Sequence, residues 1–327
     1  MKGFLLIACT LLILGAVLYL LNRDNSKVGH YISEEGKADF QSAYEEAMLL
    51  LPKPQVTKDI ETEFGIVRVY YFTNEENKDK EPILLLPGRS SSTPLWEPNL
   101  LGLMKERPIY TIDLLGEPGM SHQTKAISSE EDQAKWLNEV LVALKLEKVH
   151  LMGVSIGGWT SMNLARYYPE RIVSISLLDP VFVFEPIALK MIAASIPASV
   201  PFVPKFIREK MLSYISGGAK ADESEPIAKL IEAGMRNYKL KLPAPDQLSD
   251  EDLKNIDIPI LAFMAENSTM HDAEKAVIKG KAMVKNIEIE SWPHASHAIS
   301  GEYPDEINAR VLEFVEQHAT RLDNVIQ

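Results

Sequence analysis

Six short apolar runs separated by amphipathic stretches constrain this chain more than any other feature. They are Ile83–Leu86, Pro108–Ile112, Val149–Val154, Ile172–Leu178, Ile258–Met264 and Ile287–Trp292. Each is too short for a buried helix and rich in apolar residues, as a strand covered on both faces must be. The stretches 94–106, 129–145, 158–168, 273–283 and 304–320 read as helices. Ser128, with Glu131 three residues on, predicts a capping box at the start of the second of these. A helix over 37–51, stopped by Pro52 and Pro54, and a strand over Ile66–Phe72 precede the series. Alternation of this kind predicts an α/β fold with a mostly parallel sheet covered by helices on both faces. Ligands of such sheets bind at the carboxyl ends of the strands. Here those ends carry Gly88, Asp113, Ser155 and Asp179.

Composition narrows the chemistry. With 34 Lys+Arg against 46 Asp+Glu the net charge is −12 and no basic block occurs. Nucleic-acid binding is therefore not expected, because phosphate neutralisation needs clustered cations. Cys9 is the only cysteine of the 327 residues, so neither an intrachain disulfide nor a cysteine-based metal site can form. The seven histidines show no HExxH or HxH spacing, and no metal or other cofactor is expected.

The amino terminus is a separate object. Gly3 to Leu21 runs without a charge and is followed by Asn22, Arg23, Asp24, Asn25, Ser26 and Lys27. As a helix it would reach roughly 28 Å, close to the thickness of a hydrocarbon core. Leu6-Ile7-Ala8-Cys9 is lipobox-like, but the apolar stretch continues well past Cys9. No small-x-small site follows Leu21, so an uncleaved signal anchor is favoured over a cleaved or lipidated form. Residues 1–27 are thus assigned to an anchor and its flank, and 28–327 to the body. The expected location is a bacterial cell membrane, single-pass, with the body outside. Lys2 opposes Arg23 and Lys27, so charge bias leaves the orientation open.

Gly153-Val154-Ser155-Ile156-Gly157 is a G-x-S-x-G pentapeptide set between an apolar strand and a helix. Glycines at both ends permit a sharp turn and close helix–strand packing, which lifts a serine hydroxyl clear of the sheet. The competing reading is a glycine-rich turn with a serine helix cap.

At this point the chain resembles the α/β-hydrolase superfamily, and its serine-esterase-like members in particular, over roughly residues 60–320. Leu84-Leu85-Leu86-Pro87-Gly88-Arg89 is similar to the segment that supplies half of the oxyanion hole, with Pro87 where His is commoner. Asp113-Leu114-Leu115-Gly116-Glu117-Pro118-Gly119-Met120-Ser121 resembles the D-x-x-G-x-G-x-S loop with one extra residue. Ser296-His297 followed by Glu302 and Pro304 resembles the late G-H-x-x-x-x-E-x-P segment, with Ser296 replacing Gly. The resemblance implies Ser155 as nucleophile, His297 as base, and the backbone N–H groups of Ile156 and Arg89 as oxyanion donors. His294 and His271 are rival bases, but only His297 has Glu and Pro at the family offsets. The acid is less determined. The usual position falls on Ser268, which cannot stabilise an imidazolium as a carboxylate does. Asp179 is preferred, since some relatives take their acid from that strand end. Asp272 is the alternative, with helix capping as its competing role. Glu266 lies too close to the strand end unless a bulge intervenes.

From Pro180 to about Asp257 the strand–helix rhythm lapses, with helix-like segments around 186–196, 203–216 and 225–238. This is read as a helical lid insertion. Ser90, Ser91, Ser92 and Trp96 follow the oxyanion segment, and Ser90 and Trp96 are expected to border the substrate. The activity implied is hydrolysis of a small carboxylic ester or related acyl compound through an acyl-enzyme. A serine nucleophile leaves C–C bond, thioester and lactone hydrolysis open, and a non-catalytic membrane-tethered binding protein is the different-class alternative.

Overall fold

The computed structural model describes residues 24–191 and 225–319. The expected anchor, residues 3–21, and the insertion segment 203–216 lie outside the described residues, as do 192–196 of the segment 186–196. Among the described residues no helix is long and apolar enough to cross a membrane.

Eight strands form the backbone of the main sheet: β1 (Val56–Thr62), β2 (Gly65–Phe72), β3 (Ile83–Leu86), β4 (Ile109–Ile112), β5 (Val149–Val154), β6 (Ile172–Leu178), β7 (Ile260–Ala265) and β8 (Ile287–Trp292). Their order across the sheet is β1-β2-β4-β3-β5-β6-β7-β8. From β4 to β8 every pair is parallel, whereas β2 pairs antiparallel with both β1 and β4. A two-residue strand, His122–Gln123, adds to β2.

The continuous apolar runs have the cause expected of them. Every residue of β3, β5 and β7 is buried. Successive side chains enter opposite layers: Leu84 and Leu86 join one core, Ile83 and Leu85 the other. The first core is roofed by α3 (Glu130–Ala143), α4 (Ile156–Tyr167) and α7 (Ala273–Met283), through residues such as Trp136, Trp159 and Ala276. The second is roofed by α1 (Glu34–Met48), α2 (Glu97–Met104), α5 (Pro226–Asn237) and α9 (Pro304–His318), through Phe40, Leu100, Leu230 and Phe314. Burial of these two layers is the main stabilising contribution. Two short helices, α6 (Asp250–Asn255) and α8 (Ile299–Glu302), complete the set among the described residues.

Several boundaries differ from the sequence reading for identifiable reasons. The first helix spans 34–48 rather than 37–51, because the Ser33 side chain accepts from the Gly36 N–H and starts it early. The cap of α3 is Ser129, bonded by the Asp132 N–H, rather than Ser128, whose N–H and hydroxyl both bind the Asp132 carboxylate. The stretch 94–106 divides into a 3-10 turn, Thr93–Trp96, and α2. The strand β1 has no counterpart in the sequence reading. It is a largely exposed edge, VTKDIET, whose charges protect an open edge and hide it from any search for apolar runs.

The segment leading into α1 does not stand apart from the insertion. His30–Tyr31 pairs antiparallel with Tyr238–Lys239. Lys229 reaches Glu46 at 2.9 Å, Arg236 reaches Asp39 at 2.5 Å, and Lys241 reaches Asp24 at 2.9 Å. Residues 24–48 and 226–241 therefore make one layer beside the carboxyl edge of the sheet.

Candidate active site

The turn between β5 and α4 is built on steric exclusion. Ser155 has φ +54°, in the left-handed region that a non-glycine residue enters only under constraint. A Cβ on Gly153 would strike the Gly157 carbonyl, and one on Gly157 would strike the Leu86 carbonyl of β3. The Ser155 N–H donates to Leu178 O of β6 at 3.0 Å, which fixes the turn to the neighbouring strand end.

Asp179 ends β6 and is completely buried. Its N–H donates to Phe263 O of β7 at 2.8 Å. Its Oδ1 accepts from the Ala265 N–H at 3.0 Å, and its Oδ2 accepts from the Ser268 hydroxyl at 2.6 Å. Oδ2 also meets His297 Nδ1 at 2.6 Å, and His297 Nε2 stands 3.0 Å from Ser155 Oγ. A carboxylate only accepts, so the imidazole proton sits on Nδ1 and Nε2 is left to accept from the serine hydroxyl. Burial alone would push the Asp179 carboxyl up. The hydrogen bond with His297 and the adjacent ring of His271 outweigh it and hold the group well below the usual carboxylate range.

The loop that presents His297 is itself clamped. Glu302 accepts from the Ser296 N–H and from its hydroxyl, both at 2.7 Å, and the same hydroxyl accepts from the Ala298 N–H. Trp292, at the end of β8, lies edge-on between Phe263 and Tyr303, with centroids 5.3 and 5.4 Å away. Ser296 in place of the family's glycine thus supplies a second bond to Glu302.

The other candidates fall elsewhere. Asp272 caps α7, accepting from the Lys275 N–H at 3.1 Å and pairing with its ammonium group at 2.8 Å. His294 is exposed. Glu266 accepts from Ser291 on the exposed side of β8. His271, weighed only as a base, is a buried neighbour of the carboxylate, with Nε2 3.3 Å from Asp179 Oδ1 and neither ring nitrogen in hydrogen-bonding geometry. Ser268 occupies the usual acid position and bonds the acid candidate instead, a relationship for which the sequence held no signal.

The expected oxyanion segment lies against the elbow. A Cβ on Gly88 would be 3.7 Å from Ser155 Cβ, and the Ser91 hydroxyl donates to Gly88 O at 2.7 Å. Ser90 and Ser92 both have positive φ, and the Ser90 N–H donates to Glu117 Oε2 at 3.3 Å. Arg89 and Ile156 line a cavity together with Glu117, Trp159, Leu242 and Pro243. Glu117 is buried there with Oε1 lacking a hydrogen bond, and burial raises its carboxyl above the ordinary value. Ser90 is buried, and Trp96 is wholly enclosed in the core that contains Phe40 and Leu100, the environment of a packing residue.

Solved structures share this fold. The chain superposes on naproxen esterase from Bacillus subtilis with a TM-score of 0.77 at 27% identity, over 85% of this chain and 98% of that one. The chain is an enzyme of the α/β-hydrolase fold. A family profile described as alpha/beta hydrolase fold matches residues 81–207 of the hydrolase. Carboxylesterase CesB (YbfK) from Bacillus subtilis gives a TM-score of 0.78 at 26% identity, covering 86% of this chain and 98% of that one. By sequence the hydrolase is 28% identical over 300 residues to the Bacillus subtilis carboxylesterase nap, covering 86% of this chain and 94% of that protein. Carboxylesterase YbfK is 27% identical over 295 residues, covering 87% and 96%. These relatives are carboxylesterases.

Proposed function

We propose that the hydrolase cleaves carboxylic esters through Ser155, His297 and Asp179. The observation that carries this reading is the unbroken relay from Ser155 Oγ through His297 to Asp179, with a 3.0 Å and a 2.6 Å contact. Ser155 Oγ attacks the ester carbonyl while His297 Nε2 takes its proton. The oxyanion that forms is held by the N–H groups of Ile156 and Arg89, each commonly worth about 3 kcal/mol. Collapse breaks the ester C–O bond, and the imidazolium returns its proton to the departing alkoxide. Water, deprotonated by the same imidazole, then releases the acid and regenerates Ser155. Asp179 orients His297 and balances its transient charge.

The same proposal assigns residues 1–27 to a membrane anchor with its flank and 28–327 to the catalytic body, on the apolar run Gly3–Leu21. The test of the chemistry is Ser155→Ala, with ester turnover and fluorophosphonate labelling as readouts. Both should vanish from a protein of unchanged fold. Turnover retained in pure, folded Ser155→Ala protein would overturn the reading.

A further inference from the structure

A backbone N–H can hold an oxyanion only if its direction is set before the reaction. The Arg89 N–H and the Gly88 C=O belong to one planar, trans peptide unit, so they point in opposite directions and holding one aims the other. The Ser91 hydroxyl holds the carbonyl, donating to Gly88 O at 2.7 Å. Ser91 is 2% exposed, so bulk water does not compete for that bond. The next peptide unit, Arg89 C=O with Ser90 N–H, is held as well. The Ser90 N–H donates to Glu117 Oε2 at 3.3 Å, and Arg89 Nε stands 3.7 Å from Glu117 Oε1. The peptide planes on both sides of Arg89 are therefore tied down. Among the described residues the Arg89 N–H itself has no acceptor.

The loop does not keep this shape unaided. Ser90 and Ser92 have φ of +58° and +54°, a region that non-glycine residues hold only when their surroundings enforce it. The enforcement comes from residues 113–120. The Ser92 hydroxyl donates to Pro118 O at 2.6 Å, and the Thr93 N–H donates to Asp113 Oδ1 at 2.9 Å. Asp113 Oδ2 in turn accepts from the Met120 N–H at 2.8 Å and from the Tyr44 hydroxyl at 2.9 Å. None of these bonds reaches the Gly88–Arg89 peptide. The Ser91 hydroxyl does, and that peptide lies against the nucleophile: a Cβ on Gly88 would be 3.5 Å from Ser91 Oγ and 3.7 Å from Ser155 Cβ.

We propose that Ser91 is a positioning residue of the oxyanion hole. Its hydroxyl aims the Arg89 N–H at the place of the developing oxyanion and, by bonding the carbonyl of the same peptide unit, strengthens that N–H as a donor. Ser91 does not touch the reacting atoms; it acts through the Gly88–Arg89 peptide. Its effect falls on the transition state, because a donor aimed at the oxyanion serves the tetrahedral adduct more than the planar ester. The proposal rests on the ester-hydrolase reading, and it deepens that reading by naming what orients one of the two donors.

The experiment compares wild type, Ser91→Ala, Ser91→Thr and Ser91→Val in the full chain on p-nitrophenyl butyrate, with an alkyl trifluoromethyl ketone as the oxyanion probe. Ser155 Oγ adds to the ketone carbonyl, His297 takes the proton and the carbonyl oxygen takes the charge. No group can leave, so the adduct stops at the tetrahedral stage. Ser91→Ala should lower kcat about tenfold with KM nearly unchanged, and should raise the Ki of the ketone by the same factor. The acid limb of the kcat/KM profile should stay in place, because the imidazole and its carboxylate are untouched. Threonine and valine add the same bulk, so their ratio reads the hydroxyl alone, and the threonine variant should exceed the valine variant in kcat by a comparable factor. Should those two fail to fold, the alanine variant decides. Wild-type kcat and Ki in Ser91→Ala overturn the proposal, as do equal kcat values for folded Thr and Val variants, a loss confined to KM, or a displaced acid limb. A wild type that neither turns over the ester nor binds the ketone would instead remove the ester-hydrolase reading.

Discussion

His297 Nδ1 lies 2.6 Å from Asp179 Oδ2, across 118 residues of sequence. The carboxylate faces the imidazole from the end of β6, and Ser268, where the superfamily usually places its acid, has become a hydrogen-bond donor to it at 2.6 Å. Asp179→Asn removes the counter-charge and lets the amide stabilise the wrong imidazole tautomer. Its kcat should fall by about 10³ to 10⁴. Asp272→Ala should keep kcat and lose about 1 kcal/mol of stability through the α7 cap. Steady-state kinetics and thermal melts of the two variants check both halves, and reversal of their effects would move the acid to Asp272.

Two buried carboxylates should give opposite pH signatures. Asp179 is depressed in the folded protein, so its stabilisation is present above the unfolded value of about 3.9 and is lost as pH falls below it. Glu117 is raised by burial, so it costs stability once pH climbs above about 4.3, and the cost fades as pH falls. Melts of wild type, Asp179→Asn and Glu117→Gln between pH 3 and 8 should separate them. The deficit of Asp179→Asn should shrink below pH 4, and the advantage of Glu117→Gln should grow as pH rises from 4. Parallel curves for all three proteins would refute the assignment.

The strands were legible because a parallel sheet covered on both faces demands unbroken apolar runs. β3, β5 and β6 begin and end where those runs do, and the edge strand β8 keeps its expected bounds although only Ile289 of it is buried. The elbow and the Ser155–His297 pair were legible because their residues sit at fixed offsets from glycine, glutamate and proline. β1 was not, since an exposed edge carries charge rather than a pattern. The partnership of Asp179 with Ser268 was not either. It depends on two strand ends, β6 and β7, lying side by side, and no local spacing encodes that. The joining of 24–48 to 226–241 escaped for the same reason: the ion pairs concerned span about two hundred residues, Lys229 to Glu46 for instance.

The glycines of the elbow make a prediction about folding rather than chemistry. Gly157→Ala places a methyl group against the Leu86 carbonyl of β3, a backbone atom that cannot move without parting β3 from β5. Overpacking of this kind typically costs about 1–3 kcal/mol, and an immovable neighbour puts it at the upper end. Gly301→Ala, where a Cβ would meet nothing within 4 Å, is the control and should melt with the wild type. A Gly157→Ala protein as stable as the control would show that the elbow is looser than described.

The amino-terminal run predicts fractionation. The full chain should stay with membranes through a carbonate wash, because about nineteen apolar residues match the hydrocarbon thickness. A chain lacking residues 2–21 keeps the Asp24–Lys241 contact and should be released with its esterase activity intact. Recovery of the intact full chain in the wash would rule out the anchor.

His271 supplies the last prediction. Its side chain is 1% exposed, and Nε2 stands 3.3 Å from the Asp179 oxygen that does not face His297. A buried imidazole with neither nitrogen bonded is costly, and Asp179 Oδ1 is an acceptor beside it. The other charged groups nearby, Glu266, Asp272, Glu274 and Lys275, are exposed, and Glu185 is half-buried. The edge of the His271 ring beside Oδ1 draws part of the carboxylate's field away from His297. Removing that ring leaves more of the field for the His297 imidazolium that forms during turnover. His271→Leu should therefore move the acid limb of the kcat/KM profile upward. His271→Gln, whose amide reaches the position of Nε2, should restore it, and His271→Asn, too short to reach, should not. A residue that merely filled space would leave the limb where it was. Superimposable profiles for the Gln and Asn variants would therefore show that His271 packs against the acid without tuning the base.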